Sequence, residues 1–168
     1  MTRPLFLALL FLLSACGLQP LYSGGNTGPV AATLGGVSVA PIEGKAGWLM
    51  QAALTDRIQA AGSPRYSLKV ELDDKITGFG VRRDDAVTRE RRMLRARYQL
   101  VENATGQTVL DATAGSDAGI DVVSSDYATI AAENTALERL TGVVADQIVS
   151  RVALYAKRTA DTPPQPEK

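Results

Sequence analysis

The sequence contains no histidine and only one cysteine, Cys16. Without histidine the chain has no histidine-based catalytic triad, no histidine general base and no histidine metal ligand. Two acidic pairs, Asp73-Asp74 and Asp84-Asp85, do not replace them, because neighbouring residues on a strand point to opposite faces of the sheet. A single cysteine also excludes an intramolecular disulfide bond. We therefore predict that the protein is not an enzyme and holds no metal.

The chain also lacks an excess of either charge, with 18 basic and 18 acidic residues. Loss of an N-terminal segment containing Arg3 would leave a net charge near −1. A general nucleic-acid-binding domain is normally basic, so this composition does not favour one. Binding partners must instead be sought in local patches of charge.

The chain has no apolar run of membrane-spanning length. The longest run follows Arg3 and Pro4 and covers nine residues, Leu5 to Leu13, whereas a transmembrane helix needs about 20. A basic N-terminal region, a short apolar region and small residues before a cleavage site are typical of a signal peptide. Leu13-Ser14-Ala15-Cys16 places the cysteine directly after that cut. We predict that residues 1–15 are removed and that Cys16 carries a diacylglycerol and an N-acyl chain; the alternative is a membrane helix followed by a buried cysteine.

The remaining length suits one domain with a real core. Residues 16–36 are rich in Gly, Pro, Ser, Thr and Asn, and we predict that they form a flexible tether. Residues 37–158 form the single domain. Three prolines within residues 159–168 predict a disordered tail.

Hydrophobic periodicity predicts the order β-α-β-β-β-α within the domain. The predicted elements are a strand at 37–42, a helix at 47–61, a strand from 65, a strand at 88–101, a strand at 107–114 and a helix at 127–157. The alternation of the second strand is broken by Asp73-Asp74 and by Gly78 and Gly80, and we predict that this strand resumes after a bulge and runs towards Arg83. The predicted connections are a turn at Asp84-Asp85-Ala86, a hairpin turn at 103–106 and a loop at 115–125. Trp48 is expected to cap the core, and Ile130 is expected on the buried stripe of the last helix.

Two one-sided amphipathic helices require one apolar sheet face. We therefore predict an α+β fold in which two helices pack on one face of a mostly antiparallel four-stranded sheet. The opposite sheet face is left to solvent or to a partner.

A cluster of seven arginines lies between positions 82 and 97, with only three acids among them. Four of these arginines share the predicted open face: Arg89, Arg91, Arg95 and Arg97. Guanidinium groups bind phosphates in bidentate fashion, so one interpretation is an anion site for a polyanionic head group such as that of lipid A. The other is a solvated face in which Lys69, Glu71 and Asp111 form cross-strand pairs with the arginines. The sequence favours neither.

The stretch Cys16-Gly17-Leu18-Gln19-Pro20-Leu21-Tyr22 resembles the mature start of the lipopolysaccharide-assembly lipoproteins, the LptE family, in its alphaproteobacterial form. The resemblance implies two helices on a four-stranded sheet. It also implies a lipoprotein that plugs the outer-membrane β-barrel LptD, assists its assembly and helps to pass lipopolysaccharide to the cell surface. By the same resemblance Cys16 is the lipid anchor, and the candidates for lipopolysaccharide binding are Arg89, Arg91, Arg95 and Arg97. No other cofactor is implied.

The residue after the cysteine is Gly17, not Asp. By analogy with bacterial lipoproteins in general, this predicts export to the periplasmic face of the outer membrane. An alternative function stays open at this stage: an auxiliary lipoprotein of an ABC-type lipid transport system would also combine a lipid anchor, a small α/β domain and no catalytic residues.

Overall fold

A computed structural model describes residues 28–60, 62–81 and 87–161. The predicted signal peptide, the anchor Cys16, the start of the tether and the turn at Asp84-Asp85 lie outside the described residues, as does the end of the predicted tail.

Three helices and four strands make up the described chain, and their order agrees with the predicted α+β arrangement apart from an added first helix. The elements are α1 (Pro29–Gly35), β1 (Val37–Val39), α2 (Gly44–Ile58), β2 (Tyr66–Val81), β3 (Val87–Glu102), β4 (Thr108–Asp121) and α3 (Asp126–Asp161). The strands lie side by side in the order β1-β2-β3-β4. Only β1 and β2 run parallel; the other neighbours are antiparallel, so the prediction of a mostly antiparallel four-stranded sheet is confirmed.

Helix α1 lies within the segment predicted to be a tether. Val30 is 3% and Leu34 5% exposed, and α1 packs against α3. These two residues are four apart and therefore share one face of a helix, while a proline is tolerated in the first turn. The prediction of a flexible tether is therefore wrong for the C-terminal end of that segment. Its overall composition is typical of a tether and does not show that these two apolar residues share one helix face. The predicted tail likewise begins too early, since α3 continues to Asp161.

The core lies between the helices and the even-numbered side chains of the long strands. Its largest fully buried members are Tyr98, Met50, Leu54, Leu68, Leu94, Leu100, Leu137 and Ile148. These residues come from α2, α3, β2 and β3, so both predicted helices lie on the same side of the sheet, as expected.

Two apolar residues expected at the core are exposed instead. Trp48 is 69% exposed, because α2 turns Gly47 and Met50 towards the core. A Cβ atom at Gly47 would lie only 2.5 Å from the backbone oxygen of Ile42, so this face of the helix approaches the preceding chain very closely. Ile130 is 54% exposed near the start of α3. Both predictions were wrong.

Strands β2 and β3 pair in one continuous register from Tyr66 opposite Glu102 to Phe79 opposite Arg89. The predicted bulge at Gly78 and Gly80 is therefore wrong. Gly80 has a φ of +78°, and its backbone oxygen accepts a hydrogen bond of 2.8 Å from the Thr88 hydroxyl. This positive φ is a left-handed conformation, which glycine adopts more readily than other residues, and it occurs close to the end of the strand.

Strand β4 extends seven residues beyond its predicted end at Ala114, to Asp121. The predicted loop at 115–125 is therefore mostly strand. Its glycines and serine are poor strand formers, but the long strand β3 offers a partner along its whole length, with Arg89 opposite Asp121. The predicted hairpin turn at 103–106 is confirmed: Gly106 has a φ of +71°, and its N–H donates to the Glu102 oxygen at 2.8 Å.

Among the described residues, no helix combines the length and the apolar character that a membrane span requires.

Candidate functional site

The candidate site is the open face of the sheet, defined here as the odd-numbered side chains of β2, β3 and β4. Successive strand residues point to opposite faces, and the helices pack against the even-numbered side chains. Arg89, Arg91, Arg95 and Arg97 all lie on the open face and are all exposed, as the sequence predicted.

Three of these four arginines are paired with aspartates of β4. The nitrogen–oxygen distances are 3.2 Å for Arg89 and Asp121, 3.8 Å for Arg91 and Asp117, and 3.1 Å for Arg97 and Asp111. Asp121 lies directly opposite its arginine, while the other two aspartates are reached diagonally across the strands. The row is therefore a ladder of exposed cross-strand ion pairs.

The charge of the open face is much closer to neutral than the sequence cluster suggests. Its six basic and five acidic side chains give a net charge of +1, compared with +4 for the stretch from Arg82 to Arg97. The charged members are Arg89, Arg91, Arg95, Arg97, Lys69, Lys75, Glu71, Asp73, Asp111, Asp117 and Asp121.

The best-bonded pair of the ladder is Arg97 with Asp111. The Arg97 guanidinium, helped by the Gln99 amide at 2.8 Å, holds the pKa of the Asp111 carboxyl below its usual value. The same hydrogen bond raises the pKa of Arg97. Because the pKa of Asp111 is lowered, this pair is present at neutral pH and is lost as the pH falls through that lowered value. Both side chains are exposed, so its contribution to stability is small.

Arg95 differs from the rest of the row, because no carboxylate of the described residues lies within ion-pair distance of it. Asp73 stands directly opposite on β2 but is bound to Lys75 at 2.8 Å. The Arg95 side chain lies across Gly115, where a Cβ atom would approach its Cδ to 2.5 Å, and its Nη1 donates to the Ser116 oxygen at 3.1 Å. Glycine at position 115 therefore makes room for the Arg95 side chain, whose charge no described carboxylate neutralises.

A shallow apolar hollow adjoins the arginines on the same face. Its volume is about 300 Å³, and it is lined by Thr77, Phe79, Arg91 and Met93. The Arg91 guanidinium lies 5.6 Å from the centroid of the Phe79 ring, within range of a cation–π interaction. The open face thus offers cations beside an apolar surface, which is the combination that an anionic amphiphile requires.

Arg92 belongs to the sequence cluster but lies on the helix side of the sheet. It is 9% exposed; its Nε donates to Asp74 at 2.8 Å and its Nη1 to the Glu133 oxygen of α3 at 2.9 Å. The hydrogen bond to Asp74 raises its pKa. Arg92 is therefore a structural tie between the sheet and α3, not a member of the exposed row. Arg82 and Arg83 lie outside the described residues.

Comparison with known families gives a match over residues 34–152 to the family described as LptE, lipopolysaccharide-assembly. The chain belongs to the LptE family. The resemblance drawn from its first residues is thereby confirmed, and the protein is a lipopolysaccharide-assembly lipoprotein of a non-enzymatic family. A comparison with curated protein sequences gave no match.

Solved structures of bacterial lipoproteins share this LptE-family fold. A lipoprotein from Caulobacter crescentus CB15 is 22% identical, with a TM-score of 0.66 over 77% of this chain and 98% of its own. Rare lipoprotein B from Shewanella oneidensis is 9% identical, with a TM-score of 0.57 over 75% of this chain and 97% of its own. Lipoprotein B from Nitrosomonas europaea is 10% identical, with a TM-score of 0.56 over 74% and 84%.

Sequence reasoning missed two of the acidic partners on the LptE-family sheet. Of the proposed partners only Asp111 forms an ion pair with the row; Asp117 and Asp121 were placed in a loop. The sequence did contain a signal for these partners. If β4 is extended beyond Ala114, all three aspartates occupy odd-numbered positions of the strand, which are the positions of the open face. The described residues contain no cluster of three potential metal ligands.

Proposed function

We propose that the protein is an outer-membrane lipoprotein that binds and plugs an LptD-type β-barrel, assisting assembly of the barrel and transport of lipopolysaccharide to the cell surface. Membership of the LptE family supports this role. The opening motif from Cys16 to Tyr22 supports it independently, because it lies outside the matched residues.

The observation that carries the proposal is the nearly neutral face of paired charges, which none of the described helices covers. Large outer-membrane barrels have a polar interior, so a plug needs a surface that stays hydrated and brings little net charge with it. The aspartates of β4 supply this by compensating all but one of the β3 arginines of the row. Helices α2 and α3 cover the opposite, apolar face of the sheet.

Lipopolysaccharide binding is assigned to the same face, with Arg89, Arg91, Arg95 and Arg97 as its candidate residues. Alternate residues on one strand face stand about 6.5–7 Å apart, so adjacent guanidinium groups can contact one phosphorylated head group. Arg95 is the centre of this site because none of the described carboxylates is paired with it and would have to be displaced. The hollow beside Phe79 and Met93 can take the apolar part of the same ligand.

The anchor is assigned to Cys16, after removal of residues 1–15. Each buried methylene contributes about 0.8 kcal/mol, so two or three acyl chains hold a water-soluble domain firmly on a membrane surface. We place the protein on the periplasmic face of the outer membrane. The covalently attached diacylglycerol and N-acyl chain are its only non-protein groups in this proposal.

Affinity purification of the tagged full-length chain from outer membranes tests the proposal. We expect a large β-barrel to be recovered in amounts comparable to the chain itself. A matched chain with Cys16→Ala should recover less barrel, since it is no longer held at the membrane. Recovery of an inner-membrane permease with a substrate-binding protein would instead indicate the alternative, an auxiliary lipoprotein of an ABC-type lipid transport system.

A further inference from the structure

In the part of the chain that the structure describes, the sheet has two edges whose backbone groups pair with no further strand. Strand β4 forms one edge along its whole length, from Thr108 to Asp121. Strand β2 forms the other edge beyond Leu68, because β1 pairs only with Tyr66, Ser67 and Leu68. Unpaired N–H and C=O groups at a sheet edge are a template for an added strand.

The β4 edge is blocked at its centre by a side chain of α3. The Gly115 N–H donates to Oε1 of Gln147 at 3.1 Å, and Nε2 of Gln147 donates to the Gly115 oxygen at 3.4 Å. The carboxamide of Gln147 therefore occupies the two backbone positions that a residue of a neighbouring strand would use. A strand adding to β4 would have to displace it.

The β2 edge has no such block among the described residues. On the β1 side, the Tyr66 N–H donates to the Gly36 oxygen and the Leu68 oxygen accepts from the Ala40 N–H, each at 2.9 Å. Backbone groups alternate in direction along a strand, and the register of β2 with β3 is unbroken to Phe79. The even-numbered residues beyond Leu68 therefore direct their N–H and C=O groups to this edge: Val70, Leu72, Asp74, Ile76 and Gly78.

The side chains beside the β2 edge specify what kind of strand fits. On the helix side Ile76 is 41% exposed and Leu72 is half-buried, so an added strand needs apolar residues there. On the open side Asp73 is held by Lys75, while Glu71 lies directly opposite Arg97 on β3 and attracts that guanidinium, but forms no ion pair within 4.0 Å among the described residues. A basic residue of the added strand can therefore face Glu71.

We infer that the β2 edge from Val70 to Gly78 receives an extended segment of the barrel partner as an added strand, with apolar residues towards Ile76 and a basic residue towards Glu71. This inference rests on the proposed function. In this mode main-chain hydrogen bonds supply affinity and alternate side chains supply specificity.

A proline substitution on β2 tests the inference when it is placed at a residue whose backbone N–H points away from β3. Proline lacks this N–H, so it removes one hydrogen-bond donor from the β2 edge and leaves the β2–β3 hydrogen bonds intact. In purification of the tagged full-length chain, Ile76→Pro should lower barrel recovery about tenfold. Ile76→Ala keeps the donor and should retain most of the recovery.

Hydrogen exchange of the wild-type chain gives a second measurement that needs no substitution. Amides of the even-numbered edge residues from Val70 to Gly78 should exchange more slowly in the barrel complex than in the free chain. Unchanged exchange, or full barrel recovery by Ile76→Pro, would overturn the inference, as would protection that arises from a second copy of this chain without the barrel. A wild-type chain that recovers no barrel would instead refute the proposed function.

Discussion

Replacing Arg92 with methionine is expected to lower the free energy of unfolding by about 2–4 kcal/mol, somewhat less than for a fully buried ion pair. Arg92 makes hydrogen bonds to both carboxylate oxygens of Asp74 and to the backbone oxygen of Glu133. Methionine fills similar space but leaves the partly buried Asp74 charge and the Glu133 oxygen without this donor. Urea unfolding monitored by circular dichroism measures the change.

Two further variants separate loss of the ion pair from loss of packing. Adding Asp74→Leu to Arg92→Met should restore part of the lost stability, because no buried charge then remains unpaired. Arg91→Met should change stability by less than about 0.5 kcal/mol, since that side chain is exposed and its ion pair is long. Equal stabilities for Arg92→Met and Arg91→Met would show that Arg92 does not tie the sheet to α3.

Reversing two charges of the arginine row should weaken lipopolysaccharide binding without unfolding the domain. The double variant Arg91→Glu, Arg95→Glu replaces two phosphate-binding guanidinium groups with carboxylates that repel the ligand. Hydrogen bonds to charged groups are worth about 1.5–3 kcal/mol each, so we expect affinity to fall at least about tenfold. Arg91 and Arg95 are exposed, so the melting temperature should change little. Titration of the purified chain with lipopolysaccharide measures the affinity.

The matched control reverses two charges elsewhere on the domain. Arg139 and Arg151 are exposed on α3, and Arg139→Glu with Arg151→Glu gives the same change in net charge. This control should bind lipopolysaccharide as well as the wild type at equal ionic strength. If the row variant also binds normally, the ion-pair ladder is a solvated face and not a ligand site.

Much of the fold could be predicted because its signals are local. The alternation from Tyr66 to Leu72 predicts a half-buried strand, and the apolar spacing from Leu137 to Val152 predicts the long helix. The errors arose where tertiary contacts outweigh local composition. Residues 115–121 are strand because β3 is available to pair with them, and Pro29–Gly35 is helical because Val30 and Leu34 reach the core.

The candidate site could be predicted only in part. Strand parity placed Arg89, Arg91, Arg95 and Arg97 correctly on one exposed face. Parity could have placed the aspartates of β4 on the same face, but which aspartate meets which arginine depends on the register of β3 with β4. The separation of Arg95 from the described carboxylates depends further on Gly115 and on the Lys75–Asp73 pair.

Depletion of the protein in the living cell tests the central claim most directly. The measurement is the fraction of the LptD-type barrel that reaches its mature oxidised form, together with the amount of lipopolysaccharide at the cell surface. A plug that assists barrel assembly predicts that both fall on depletion and that both recover with the wild-type chain. Normal oxidative maturation and normal surface lipopolysaccharide after depletion would contradict the proposed function.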